Sequence, residues 1–145
     1  GKYYNLYTQQ FRQELEAQAN DSNKYIRMRA EHLLKELDEE GRIPETYPYP
    51  IQVWSIGDDF KAIALAGEVV VDYALRFKHE FGDDTWVIAY ANDVFAYIPS
   101  LRVLREGGYE ADTSMIYYGL HGPWAPEVEE MIVKKVHELV KETSS

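Results

Sequence analysis

The sequence predicts an α/β fold: a small mixed β-sheet containing a βαβ unit, flanked by N-terminal helices and a long C-terminal helix. Three observations predict it. Ile51–Ile56 and Phe60–Ala66 are rich in β-formers and are separated by Gly57-Asp58-Asp59, which reads as a hairpin turn. A helical pattern from about Glu68 to Glu80, closed by Gly82, leads into the apolar run Trp86–Ala91, so Phe60–Ala66 and Trp86–Ala91 should lie parallel with a right-handed crossover. Amphipathic segments stand at both ends of the chain.

Each element has a local reason. A helix is predicted over about residues 8–19, with Phe11 and Leu15 inward. In the second helix a capping residue among Asp21, Ser22 and Asn23 precedes Ile26, Ala30, Leu33, Leu34 and Leu37, which share one helical face, and Gly41 supplies the stop. Its charged residues form a solvated face. Residues 43–50 hold three prolines, Pro44, Pro48 and Pro50, and must run extended as a connector. The run Trp86–Ala91 is apolar on both faces, as a central buried strand would be. Ser100 caps a short helix, Leu101–Glu106, which Gly107-Gly108 ends. In the last helix Pro126 opens the first turn, glutamates follow and lysines come late, which complements the helix dipole. Its buried stripe is Val128, Ile132, Val136, Leu139 and Val140.

Length and charge bound what the chain can do. With 145 residues it holds one α/β domain's worth of material, residues 1–42 forming a helical lead-in to 43–145. A net charge of −10 repels polyanions, so a nucleic-acid backbone or an anionic membrane is not the expected partner. No apolar stretch is long enough for a transmembrane segment, and no basic region followed by an apolar one marks a signal peptide in this chain. Without Cys there is no disulfide and no thiolate metal site. Twelve tyrosines are unusual, and serve either ordinary core positions or a cleft or interface.

In open α/β sheets ligands bind beyond the carboxyl ends of the strands. Two segments leave the predicted sheet there: Ala66-Gly67-Glu68 and Asn92 to Tyr97. Glu68 is thus a carboxylate at a strand-to-helix junction, which Tyr97 can approach from the adjacent loop. Glu68 equally suits the first turn of a helix, where the dipole favours an acid by roughly 0.3–1 kcal/mol. Tyr97 equally suits a packed position with its hydroxyl satisfied, and Asn92 and Asp93 suit a turn. Among His32, His79, His121 and His137 there is no H-x-H or HExxH spacing, and His121 is the most loop-like of them. No serine elbow and no phosphate-binding glycine loop is present. Gly57-Asp58-Asp59 and Gly82-Asp83-Asp84 lack the ligand alternation of a calcium loop and read as turns.

Leu65-Ala66-Gly67-Glu68, the stretch from Tyr90-Ala91-Asn92-Asp93 to Tyr97-Ile98-Pro99, and Gly107-Gly108-Tyr109-Glu110-Ala111 occur in an order that resembles the C-terminal part of the catalytic region of neutral/alkaline (non-lysosomal) ceramidases and their bacterial relatives. The similarity covers roughly residues 51–123. It implies a zinc amidase that cleaves the N-acyl bond of ceramide-like lipids, secreted or periplasmic. The metal would lower the pKa of bound water to about 7 and polarise the amide carbonyl. The family's zinc glutamate follows a Gly as Glu68 follows Gly67, and its zinc tyrosine stands five residues after an Asn, as Tyr97 does after Asn92. Asn92, Asp93, Tyr109, Glu110 and His121 are candidate cleft residues around that pair. The family's Pro before Gly-Glu is Ala66 here, and its upstream zinc histidines match none of the four histidines. The resemblance therefore implies that the remainder of a larger polypeptide or a companion domain completes the site, with no zinc retained by this chain alone. The alternative is a non-catalytic module whose Tyr-rich acidic surface binds a carbohydrate, peptide or partner domain through Tyr49, Trp54, Tyr109, Tyr117, Tyr118 and Trp124.

Overall fold

Along the chain the elements are α1 (Lys2–Gln18), α2 (Lys24–Glu40), β1 (Ile51–Ile56), β2 (Phe60–Leu65), β3 (Glu68–Val69), α3 (Val71–Phe81), β4 (Thr85–Ile88), β5 (Tyr97–Ile98), α4 (Leu101–Glu106), a π-helical turn at Tyr109–Thr113, α5 (Met115–Tyr118) and α6 (Val128–Thr143). The computed structural model describes residues 2–44, 46–120 and 122–144, and only the backbone of 2–8. These fall into two compact units, Gly1–Tyr47 with Met115–Gly122, and Pro48–Ser114 with Pro123–Ser145.

In the first unit α1 and α2 close a small core of Leu15, Ala30, Leu33 and Leu37, with Phe11, Ala19, Leu34 and Ile43 packed against it. The Asn23 side chain accepts from the Tyr25 N–H at 2.9 Å, and Gly41, at φ +72°, returns its N–H to the Leu37 carbonyl. The Tyr25 and Tyr117 rings meet at 5.0 Å, and the Arg29 Nε donates to the Leu120 carbonyl at 2.5 Å.

The second unit is an α/β layer. β1 pairs antiparallel with β2, Ile51 opposite Leu65 and Ile56 opposite Phe60. β4 joins the other edge of β2 in parallel, Lys61 opposite Thr85 and Ala64 opposite Ile88, with α3 in the crossover. This is the predicted βαβ unit. β3 and β5 form a separate parallel ladder. Val53, Ser55, Ile63 and Val87 lie on the sheet face that the helices cover. The Ser55 hydroxyl, 2.8 Å from that of Thr143, fixes that face as the one toward α6. Tyr73 and Phe77 of α3 and Ile132, Val133, Val136 and Val140 of α6 are buried. Arg76 ties the two helices together, reaching Glu80 at 2.9 Å, Glu129 at 2.8 Å and Glu130 at 2.6 Å.

The structure corrects the sequence reading at several points. Glu68 is not in a first helical turn: it lies in β3, and α3 begins at Val71. The β-branched run Val69-Val70-Val71 keeps the chain extended past Gly67 long enough to pair again. The strand predicted to end at Ala91 stops at Ile88 because Tyr90 and Asn92 turn into the left-handed region, φ +58° and +68°. Nor is that strand central. The order β1-β2-β4 puts it at an edge, with Trp86 62% exposed. In α6, Val133 takes a buried place, while Val128 and Leu139 are only half-buried.

Candidate functional site

The carboxyl end of the sheet is built around Gly67. Its φ is +71°, and a Cβ there would lie 2.7 Å from the Ala96 carbonyl oxygen and 2.9 Å from Ile98 Cγ1. Only glycine allows the chain to leave β2, turn, and run on as β3 against β5. The loop after β4 is laced to this junction through main-chain groups. Tyr90 N–H donates to the Gly67 carbonyl at 2.9 Å, Ala91 to Leu65 at 3.1 Å, Gly67 to Asp93 at 2.8 Å, Glu68 to Ala96 at 2.9 Å and Val70 to Ile98 at 3.1 Å. These bonds offset the cost of two non-glycine residues in the left-handed region, roughly 1–2 kcal/mol each. Beneath the junction the Tyr49 hydroxyl donates to the Ala66 carbonyl at 2.6 Å, and burial pushes that phenol's pKa up.

The consequence is a register. Glu68 stands directly opposite Tyr97 in the parallel β3–β5 ladder, and Val69 opposite Ile98. Opposed residues of a ladder project to the same face, so the glutamate and the tyrosine stand side by side. Both are half-buried. No hydrogen bond or ion pair engages the Glu68 carboxylate among the described residues. Tyr97 is fixed from two sides: the Trp124 indole N–H donates to its carbonyl at 2.9 Å, and the Tyr109 ring meets its ring edge-on at 5.5 Å. Trp124 in turn packs edge-on against Phe95 at 5.9 Å.

The other predicted residues divide. Asp93 belongs to the junction through its main-chain carbonyl, and Tyr109 through its ring. The Asn92 side chain donates instead to Gln52 Oε1 at 3.3 Å, which makes its position a turn anchored to β1. Glu110 is exposed on the π-helical turn, and His121 lies outside the described residues. Sequence reasoning missed a second cluster at this end of the sheet. Ser100, the predicted cap of α4, accepts from Val103 N–H at 3.2 Å and also donates to Asp72 Oδ2 at 2.5 Å. Arg102 grips the same carboxylate at 2.8 and 3.0 Å, and its bonds, with the Ser100 bond, hold Asp72 below the usual aspartate pKa. The charge pair Asp72 and Arg102 is thirty residues apart, beyond what spacing reveals.

Zinc, the metal implied by the resemblance, takes three or four protein ligands. Glu68 and Tyr97 would offer two oxygen donors, and the described residues contain no group of three His, Cys, Asp or Glu that could hold a metal. Comparison with protein-family models, curated proteins and solved structures finds no match to the chain.

Proposed function

We propose that the chain is the C-terminal portion, or a divergent relative, of a zinc-dependent ceramidase-like amidohydrolase that cleaves the N-acyl amide of ceramide-like lipids. Its contribution to the site is Glu68 and Tyr97. The remaining zinc ligands come from a larger polypeptide or a companion domain. The observation that supports this reading is the β3–β5 register, which sets side by side the two residues that the resemblance singles out. The half-buried Glu68 carboxylate, without a protein partner among the described residues, is in keeping with a ligand supplied from outside the chain.

The test is zinc content and turnover of a fluorescent ceramide, measured on this chain alone and on the longer polypeptide that contains it. The longer polypeptide should hold zinc and turn over ceramide, and Glu68→Gln or Tyr97→Phe should each lower turnover by about 100-fold or more. If both variants leave turnover intact, the assignment is wrong. Stoichiometric zinc with turnover in the dialysed isolated chain would show the site to be complete without a companion.

A second reading, a non-catalytic binding module, is favoured by Tyr109, 51% exposed beside the Tyr97 ring. Tyr49 and Trp124, two of its other candidate contacts, spend their polar atoms on the Ala66 and Tyr97 carbonyls.

A further inference from the structure

The three-stranded sheet has a second face, and its chemistry does not suit water. Alternation puts Trp54 and Ile56 of β1 and Trp86 and Ile88 of β4 on the side opposite the helices. Their exposures are 47%, 66%, 62% and 43%. Trp54, Ala62 and Trp86 form one row across the strands, with Ala62 buried between the two indoles. A sheet face that stays in water normally carries polar residues, whereas this one exposes two indoles and two isoleucines. These four side chains present on the order of 500 Å² of apolar surface, the size of a monomer's largest patch, which is often functional.

The shape and charge of the patch select the occupant. Three strands span about 10 Å between the outer two, and six residues run about 20 Å. That is the footprint of one α-helix, about 10 Å wide and about 13 residues long. It is well short of the roughly 800 Å² per partner that a standard interface between two folded proteins buries, so a stable pair of sheets face to face is not what it fits. The face itself carries no charge, but one of its ends does. The turn before β2 holds Asp58 and Asp59, and the turn before β4 holds Asp83 and Asp84. Parallel pairing brings all four, exposed, to the same end. None of them forms an ion pair among the described residues. A second copy of a chain with net charge −10 would add to that repulsion.

We infer that this face docks one amphipathic helix of a partner polypeptide, its apolar stripe on Trp54, Ile56, Trp86 and Ile88 and a Lys/Arg-bearing terminal turn against the four aspartates. This is helix-in-face recognition with electrostatic complementarity at one end. It does not depend on the amidohydrolase reading, since neither Glu68 nor Tyr97 takes part.

The probe is a synthetic 18-residue amphipathic peptide with a Leu/Ala stripe and three Lys/Arg in its last turn, titrated against the full chain and followed by tryptophan fluorescence. Saturable binding is expected. Trp86→Glu should raise the Kd by about tenfold or more, as loss of a central anchor does. Replacing Asp58, Asp59, Asp83 and Asp84 by Asn should raise it by about threefold or more and flatten its salt dependence. A control peptide with Glu in place of the terminal cations should bind more weakly than the probe. Circular dichroism of the variants separates lost binding from lost folding, and Ile56→Lys is the second surface variant should Trp86→Glu unfold. The inference is overturned by three results: no saturable binding up to about 1 mM peptide, a Kd indifferent to the surface variants, or protection of the tryptophans by cellohexaose or by self-association of the chain.

Discussion

The two ends of the three-stranded sheet are built by opposite means. At the amino end, Gly57-Asp58-Asp59 and Gly82-Asp83-Asp84 turn in open space: a Cβ added at Gly57 or Gly82 would meet nothing within 4 Å. At the carboxyl end, Gly67 is wedged against Ala96 and Ile98, and Tyr90 and Asn92 hold left-handed conformations. Main-chain bonds lock Gly67, Tyr90 and the two neighbours of Asn92 into one knot. Conformational cost is concentrated where the chain has to bring Glu68 into register with Tyr97, and it is absent where the chain merely has to reverse. Strain of this kind gathers at sites, and the carboxyl end is where α/β sheets place theirs.

Two glycines of nearly equal φ carry the largest expected difference between the two ends. Gly57 (φ +64°) and Gly67 (φ +71°) differ in what surrounds them. Gly57→Ala should lose about 1 kcal/mol, the cost of an L-residue in the left-handed region. Gly67→Ala adds to this the displacement of Ala96 and Ile98, and should lose about 3 kcal/mol in all. Urea unfolding of the two variants measures the difference. Equal losses would mean that the carboxyl-end knot relaxes freely, and the contrast between the ends would collapse.

Next in size is the Ser100–Asp72–Arg102 cluster. Ser100→Ala removes both a helix cap and a donor to a carboxylate, and should cost about 2 kcal/mol. Asp72 supplies the pH signature. Its folded pKa is lowered, first by the Arg102 hydrogen bonds and then by Ser100. The stability it contributes is therefore fully present above the ordinary aspartate value and is lost as pH falls through the lowered one. Asp72→Asn should be less stable than the parent near neutral pH, and the gap should close on acidification through that range. Urea midpoints along the acid limb check this, and a gap that stays constant would remove the carboxylate from the account.

What the sequence revealed, and what it hid, follows the same division. The hairpin, the parallel β2–β4 pair and the long C-terminal helix are periodic over six or more residues or punctuated by Gly, and could be read directly. Ser100 and Gly41 could be read as caps because capping is a local property. The β3–β5 ladder could not: two residues per strand carry no periodicity, and the pairing depends on what Gly67 permits across twenty-nine residues. Trp86–Ala91 misled for a related reason. An apolar run says that a strand avoids water on both faces, not what covers it, and here one face stays exposed. That Glu68 and Tyr97 leave the sheet at its carboxyl end could nevertheless be read, since it follows from parallel topology rather than from any motif.

The smallest effect isolates backbone from side chain at Asn92. Asn tolerates its φ of +68° better than most residues, and its side chain donates to Gln52. Asn92→Ala loses both the tolerance and the bond, and should cost about 1 kcal/mol; Asn92→Gly loses only the bond, an exposed one, and should fall within about 0.5 kcal/mol of the parent. Thermal unfolding of the pair reads the difference. If glycine is as costly as alanine, the Gln52 hydrogen bond rather than the left-handed turn holds the loop, and the carboxyl end would be fastened by side chains after all. If glycine is neutral, the loop that carries the chain from β4 toward Tyr97 is set by its main chain, as the bonds from Tyr90, Ala91 and Gly67 indicate.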